Sequence, residues 1–236
     1  MKKIKSNNME TGYTDKEYCL EVWGDWACFT RPELKVERVS YDVITPSAAR
    51  AIFESIFFKR YAMRWQITRI EVINPIKWTT IRRNEVGALA GKSTVFIEEK
   101  RQQKNSLLLK DVRYRIYAKL VFIPVKERPK EAFAKHQPGN DENPMKYYQM
   151  FERRALQGQC FTQPYLGCRE FSASWKYMED TLNLEPPLNE DRDLGIMLYD
   201  MDFEGNVKSP DAMFYRAVMK NGIIVVPDKN SKEVLR

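Results

Sequence analysis

The 236-residue sequence predicts an α+β fold, and three observations predict it. Stretches of strand-like alternation and of helical spacing take turns along the first three-quarters of the chain. One run, from Leu107 to Pro124, alternates without a break: Val112, Tyr114, Ile116, Ala118, Leu120 and Phe122 point one way, and Arg113, Arg115 and Lys119 point the other. From about Trp175 onward only short strand-like segments follow one another. A hydrophobic content of 43% suits a globular chain with a core and excludes a disordered one.

Lys16 to Phe29 alternates, with Tyr18, Leu20 and Val22 on one face, and reads as the first strand. Gly24-Asp25 inside it predicts a bulge or a close approach of another backbone segment. Thr45 then supplies an N-cap and Pro46 the first helical position. Ala48, Ala49, Ile52, Phe53 and Ile56 follow at helical spacing. Arg64 to Ile73 is a second strand, stopped by Asn74-Pro75. The chain from Lys77 to Lys104 is basic and interrupted, and reads as a hairpin-like excursion within residues 77–106. After the long strand at Leu107, Glu127 to Pro144 is polar loop. Asn143 to Gln157 is a second helix, closed by Gly158, and Cys160 to Ser172 is an aromatic strand. Short strands near Gly195–Met201, Ala212–Lys220 and Ile223–Val226 complete the chain.

The order is strand, helix, strand, insertion, strand, helix, strand. That is the βαββαβ ferredoxin-like topology, shared with RNA-recognition modules, whose sheet leaves one face free of helices. It occupies residues 1–174, and residues 175–236 form a small antiparallel β-rich subdomain.

Charge is unevenly spread. Residues 177–236 hold 7 bases against 12 acids, so the first 176 residues hold 32 against 20, a balance of +12. That excess favours a phosphate-rich partner, because each neutralised phosphate releases counterions. A basic face with no partner is the plainer alternative. Cys19, Cys28, Cys160 and Cys168 form no C-x-x-C pair, and His136 is the only histidine, so no zinc signature exists. No apolar run approaches transmembrane length, and the start, MKKIKSNN, lacks the apolar region of a signal peptide. A cytoplasmic protein with reduced thiols is expected.

The segment Asn143 to Phe171 concentrates chemistry. On its helix Lys146, Arg153 and Gln157 fall on one stripe, while Tyr148, Phe151 and Ala155 fall on the other. A helix that packs aromatics on one side and offers cations on the other suits a polyanion; an ordinary amphipathic helix with a solvated basic face has the same pattern.

Several blocks in order carry a family resemblance: Gly24-Asp25-Trp26-Ala27-Cys28-Phe29-Thr30; Ser40 through Arg50; Asn74-Pro75-Ile76; Ile81-Arg82-Arg83-Asn84-Glu85; and Gly158-Gln159-Cys160 through Gly167-Cys168-Arg169-Glu170-Phe171. The chain resembles the CRISPR-associated Cas family five, in its subtype I-C (Dvulg). The resemblance implies a ferredoxin-like N-terminal domain with a protruding hairpin and a small C-terminal sheet. It also implies a subunit that cuts precursor CRISPR RNA at the base of the repeat hairpin and stays on the 5′ handle. Its partners would be the backbone and large subunits of the type I-C interference complex (Cascade).

Cleavage in such a family is expected to need no metal and no other cofactor. The ribose 2′-OH attacks the adjacent phosphate, which requires a base, a cation for the phosphorane and an acid for the departing 5′ oxygen. The resemblance places a tyrosine near the start of the first helix and a Lys-His pair at the opening of the second. Lys146 matches the lysine, Tyr147 stands at the histidine position and Pro46 at the tyrosine position. Lys146 can stabilise phosphorane charge. Tyr147 is a poor base unless Lys146 or Arg154 lowers its pKa from about 10; otherwise it is a packed aromatic. His136, in a polar loop, is a weaker candidate base. Candidate RNA contacts are Arg82, Arg83 and Asn84 in the excursion, Arg113, Arg115 and Lys119 on the long strand, Arg153 and Arg154 on the second helix, and Arg50 and Arg169. Salt bridging is the alternative for Arg50 and Arg169. Trp26 either stacks on a base or packs as a strand tryptophan. Two other readings remain: a handle-binding subunit without cleavage, and a sequence-independent binder of double-stranded DNA.

Overall fold

A computed structural model describes residues 16–34, 36–88, 91, 94–133, 142–203 and 209–236. Among them one nine-stranded sheet carries two helices of substantial length. The first strand, β1 (Glu17–Ala27), leads to α1 (Pro46–Ile56) and β2 (Met63–Val72). Next come β3 (Lys77–Val86), a four-residue helix α2 (Ile97–Lys100) and the 22-residue β4 (Arg101–Phe122). Two short 3-10 turns precede α3 (Pro144–Leu156). The chain ends with β5 (Ser174–Met178), β6 (Arg192–Asp202), β7 (Asp211–Lys220), β8 (Ile223–Val225) and β9 (Val234–Leu235).

Both long helices start as the sequence requires. Thr45 is the N-cap of α1, its hydroxyl accepting from the Ala48 amide, with Pro46 in the first turn. Asn143 plays the same part for α3, accepting from the Lys146 amide at 3.0 Å ahead of Pro144. Gly158, at φ 65°, closes α3. The helices bury Phe53 and Phe151 against Trp65 and Tyr18, with ring centroids 4.6–4.9 Å apart for Phe53–Trp65, Trp65–Phe151 and Tyr18–Phe151. This aromatic block is the centre of the core.

The strands run β5-β1-β4-β2-β8-β7-β6, all neighbours antiparallel, with β3 paired to β4 and β9 to β7. β4 is the axis of the molecule. Its second half lies between β1 and β2, and its first half, Arg101 to Lys110, pairs with β3 as the expected hairpin. The excursion is therefore two strands sharing one long backbone with the core.

Two details differ from the sequence reading. The segment Cys160 to Ser172 is an irregular loop with a single Tyr165–Ser172 bridge, and the strand beside β1 is β5. The loop turns at Gly167, φ 85°, where any Cβ would sit 2.0 Å from the Cys28 carbonyl oxygen. Its backbone is used locally and against β1's exit: Leu166 N–H donates to Phe171 O and Cys28 N–H to Leu166 O. Alternation without ladder partners does not make a strand. The second detail concerns the end of the chain. The position between 174 and 175 falls inside β5, which pairs with β1, and the C-terminal strands continue the same sheet through β8 on β2. Gly24 shows the expected close approach, a Cβ there lying 2.7 Å from Leu166 Cδ1, while the β1–β4 register runs past it without a shift.

Candidate functional site

The expected site residues divide into two groups at opposite ends of β4, with a third group between them.

At the Phe122 end, α3 presents Lys146 from its first turn, exposed, with Arg153 exposed two turns on. A helix N-terminus adds partial positive charge to such a position. Tyr147 points the other way. It is 8% exposed and packs edge-on against Phe57 and Phe122, at 6.0 and 5.2 Å between centroids. Its hydroxyl donates to Glu142, whose carboxylate also takes a 2.8 Å hydrogen bond from Arg128 Nη1. Burial first, then the Glu142 contact, push the phenol up to about 12. Tyr147 is thus held protonated, the opposite of what a phenolate base needs. Arg154 donates to the Ile56 carbonyl at 3.1 Å and covers the Phe57 ring, tying α3 to the end of α1. His136 lies outside the described residues.

Pro46 does not meet this group. It is buried at the start of α1, whereas Tyr147 touches Phe57 just past that helix's end. Eleven residues of helix separate the two by about 16 Å. A cleft of about 260 Å³ opens at the Pro46 end, lined by Thr30, Thr45, Ser47, Tyr165 and Gly167 among others.

At the Arg101 end, β3 exposes Arg82 and Asn84, opposite Asn105 and Gln103. Arg83 turns inward and pairs with Glu170 and, at 3.2 Å, with Glu85. Arg169 is exposed on the loop next to Glu170. Trp26, 36% exposed, sits opposite Lys110 of β4, and Lys77 of β3 sits opposite the same lysine. A half-open indole in one row with two ammonium groups is a stacking platform with charge beside it. Lys77 and Lys110 were not singled out from the sequence, because only strand register brings them to Trp26.

Between the ends, Arg113 and Arg115 are not an open basic face. Arg115 is 2% exposed and lies within 3.5 Å of carboxylate oxygens of Glu21, Glu71 and Glu185. It also donates to the Glu185 carbonyl at 2.6 Å. Arg113 takes Glu21 at 2.8 Å and Glu185 at 2.6 Å. Burial raises the Glu21 pKa, but the hydrogen bonds from Arg113 and Arg115 outweigh it and hold the carboxyl below its usual range. Lys119 is half-buried in register with Glu17 and Gln66. Arg50 is likewise committed, bidentate to Asp200 at 2.7 and 2.9 Å and paired with Glu54 at 2.6 Å.

Arg128 and Glu142 are the residues that sequence reasoning missed at the Phe122 end. Both sit in a stretch read only as polar loop. The one available signal was Glu142 standing immediately before an Asn-Pro helix start. Among the described residues no group of three or more His, Cys, Asp or Glu is placed to hold a metal ion, and no helix is long and apolar enough to cross a membrane.

A sheet carrying helices on one face, with cations presented at both ends of its longest strand, defines the class: an α+β protein with a basic surface. Residues 17–227 match the family described as CRISPR-associated protein (Cas_Cas5), in its Cas5d form, and the chain belongs to that family. It is 45% identical to the CRISPR pre-crRNA endoribonuclease Cas5d of Mannheimia succiniciproducens, over 92% of this chain and 97% of that one. The protein of the same description from Thermus thermophilus is 37% identical, over 92% and 94%. Among solved structures, a CRISPR-associated protein superposes with a TM-score of 0.65 at 22% identity, covering 94% of this chain and 97% of its own. A chain of a CRISPR RNA-guided surveillance complex superposes at 0.50 and 12% identity, covering 89% and 91%.

Proposed function

We propose that this chain is an endoribonuclease that cuts precursor CRISPR RNA at the base of the repeat hairpin, using the ribose 2′-OH as nucleophile and no metal ion. It then stays on the 5′ handle as a subunit of the type I-C interference complex, beside the backbone and large subunits. The single observation that carries the reading is Lys146, exposed on the first turn of a capped helix at the family's lysine position. Two relatives of high coverage described as pre-crRNA endoribonucleases support it. The strand order β5-β1-β4-β2 with α1 and α3 on one face supports a ferredoxin-like frame.

In this reading Lys146 neutralises the phosphorane as charge builds on it. Tyr147, protonated and bonded to Glu142, fixes the helix start, and Arg128 holds Glu142 in place. Arg82, Asn84 and Arg169, with Trp26 and its lysines, grip backbone and bases at the far end.

A second reading, a handle-binding subunit that does not cut, is favoured by Pro46 and by the protonated Tyr147. The deciding experiment is cleavage of a labelled cognate repeat RNA in EDTA by wild type and Lys146→Ala, alongside a substrate with 2′-deoxyribose at the cut site. Cutting by wild type that both changes abolish is expected. Tight binding of the hairpin without cutting leaves only the second reading. Equal affinity for double-stranded DNA and repeat RNA would replace both with a general duplex binder.

A further inference from the structure

Beside the hairpin's dock lies a pair of thiols brought together across 140 residues of sequence. Cys168 is half-buried on the loop after Gly167, and Cys28 is buried at the exit of β1. Their segments touch: Cys28 N–H donates to Leu166 O at 3.0 Å, and the Cys168 thiol donates to Cys28 O across 3.6 Å. Arg38 closes the site, with Nη1 3.5 Å from Cys168 Sγ. Thr30 Oγ1 lies 3.5 Å from Cys28 Sγ.

We propose that Cys168 is a modification site, a thiolate nucleophile toward hydroperoxides, with Cys28 as the partner that resolves it to a disulfide. Three features that mark reactive cysteines meet here: a neighbouring cation, partial exposure and an adjacent second thiol. The hydrogen bond from Cys28, and then Arg38, outweigh burial and Glu170 and bring the Cys168 thiol down to about 6. The same contact, with burial, pushes Cys28 up. Of the two thiols, Cys168 is the more readily ionised.

The chemistry balances with the peroxide as oxidant. The Cys168 thiolate attacks one peroxide oxygen; an S–O bond forms, the O–O bond breaks, and the departing hydroxide or alkoxide takes a proton. Cys28 sulfur then attacks the sulfenic sulfur; the S–S bond forms, the S–O bond breaks, and hydroxide leaves with the Cys28 proton as water. Two thiols lose two electrons and the peroxide gains them. A disulfide needs Cα atoms about 4.4–6.8 Å apart, and Gly167, the residue before Cys168, already lies against the Cys28 carbonyl. Arg38 also faces Glu170 at 3.7 Å and Glu85 at 4.0 Å, the two carboxylates that pair with Arg83 of β3. Oxidation removes the anion between Arg38 and the loop, so it acts where the hairpin is docked.

The test is brief iodoacetamide labelling of the whole chain at pH 6, read at each cysteine by peptide mass spectrometry and referenced to the urea-unfolded chain. At a pKa of about 6 half the thiol is ionised. An unperturbed thiol near 8.5 is ionised to about 0.3%, and the lower intrinsic reactivity of a low-pKa thiolate takes back about a factor of ten. Cys168 is expected to label roughly tenfold faster folded than unfolded, with Cys160, also half-buried, followed in the same run as the reference for accessibility. Cys28→Ala should remove most of that advantage and Arg38→Gln a smaller part. Hydrogen peroxide should give a Cys28–Cys168 disulfide in wild type, and in Cys28→Ser a sulfenic acid trapped by dimedone. A Cys168 rate no higher than in the unfolded chain, or peroxide-treated wild type lacking the 28–168 bond, overturns the proposal.

Discussion

At the Arg101 end of β4, cations stand in the open on an edge strand, interleaved with carboxylates and beside the half-exposed indoles of Trp26 and Trp78. At the Phe122 end they are few and borne on a helix whose other face is an aromatic core. Midway, the same residue types are sealed into ion pairs by Glu21, Glu71 and Glu185. A positive side chain therefore says little by itself. What its neighbours leave unsatisfied decides whether it holds the fold or meets a ligand. Arg113 and Arg115 share a strand face in sequence, but acids on β1, β2 and a crossing loop claim both.

The contrast breaks most visibly at Arg115. Arg115→Ala leaves Glu21 with Arg113 alone and Glu71 with only Arg69 at 3.8 Å, and should cost about 3–5 kcal/mol in urea unfolding; a loss under about 1 kcal/mol would mean that the middle is not sealed by charge. Lys146→Ala should do the reverse. Single-turnover cleavage should fall by about 10²–10³-fold, with stability unchanged to within about 0.5 kcal/mol. A matched fall in stability would make Lys146 part of the scaffold. Acid sharpens the comparison next. Glu21 sits below its usual range when folded, so its contribution is fully present above the unfolded value of about 4.3 and is lost as pH falls through the folded value. The urea midpoint of wild type should drop further between pH 7 and pH 3.5 than that of Glu21→Gln, and equal drops would remove the network from acid stability. The smallest effects belong to single exposed cations. Arg82→Ala and Arg153→Ala should each weaken repeat-RNA binding a few-fold and flatten the salt dependence by about 0.7–0.9 of a log unit per log unit. A change at only one of them would locate the RNA at one end of β4.

Much of the scaffold was legible in sequence. Thr45-Pro46 and Asn143-Pro144 announce helix starts through local chemistry, and the alternation of β4 survives translation into structure because both of its neighbours pair with it. The Cys160–Ser172 loop was misread because alternation reports side-chain pattern, whereas a strand also needs a ladder, and Gly167 diverts this backbone onto Cys28. The placement of a candidate residue was legible where helix periodicity alone decides it, as for the exposed Lys146. It was illegible where meaning comes from register or from distant carboxylates: Lys77 and Lys110 beside Trp26, Glu142 under Tyr147, Asp200 on Arg50.

The single backbone of β4 is also a ruler. Eighteen residues run from Lys104, opposite Arg83, to Phe122, against Tyr147, which at about 3.3 Å each spans about 60 Å. In the proposed reading, grip and cut would be held apart by its flanking ladders and by one covalent backbone, which turns at Asp111, φ 53°. An RNA that met both ends as proposed would lie along that length, its spacing measured out by the strand itself.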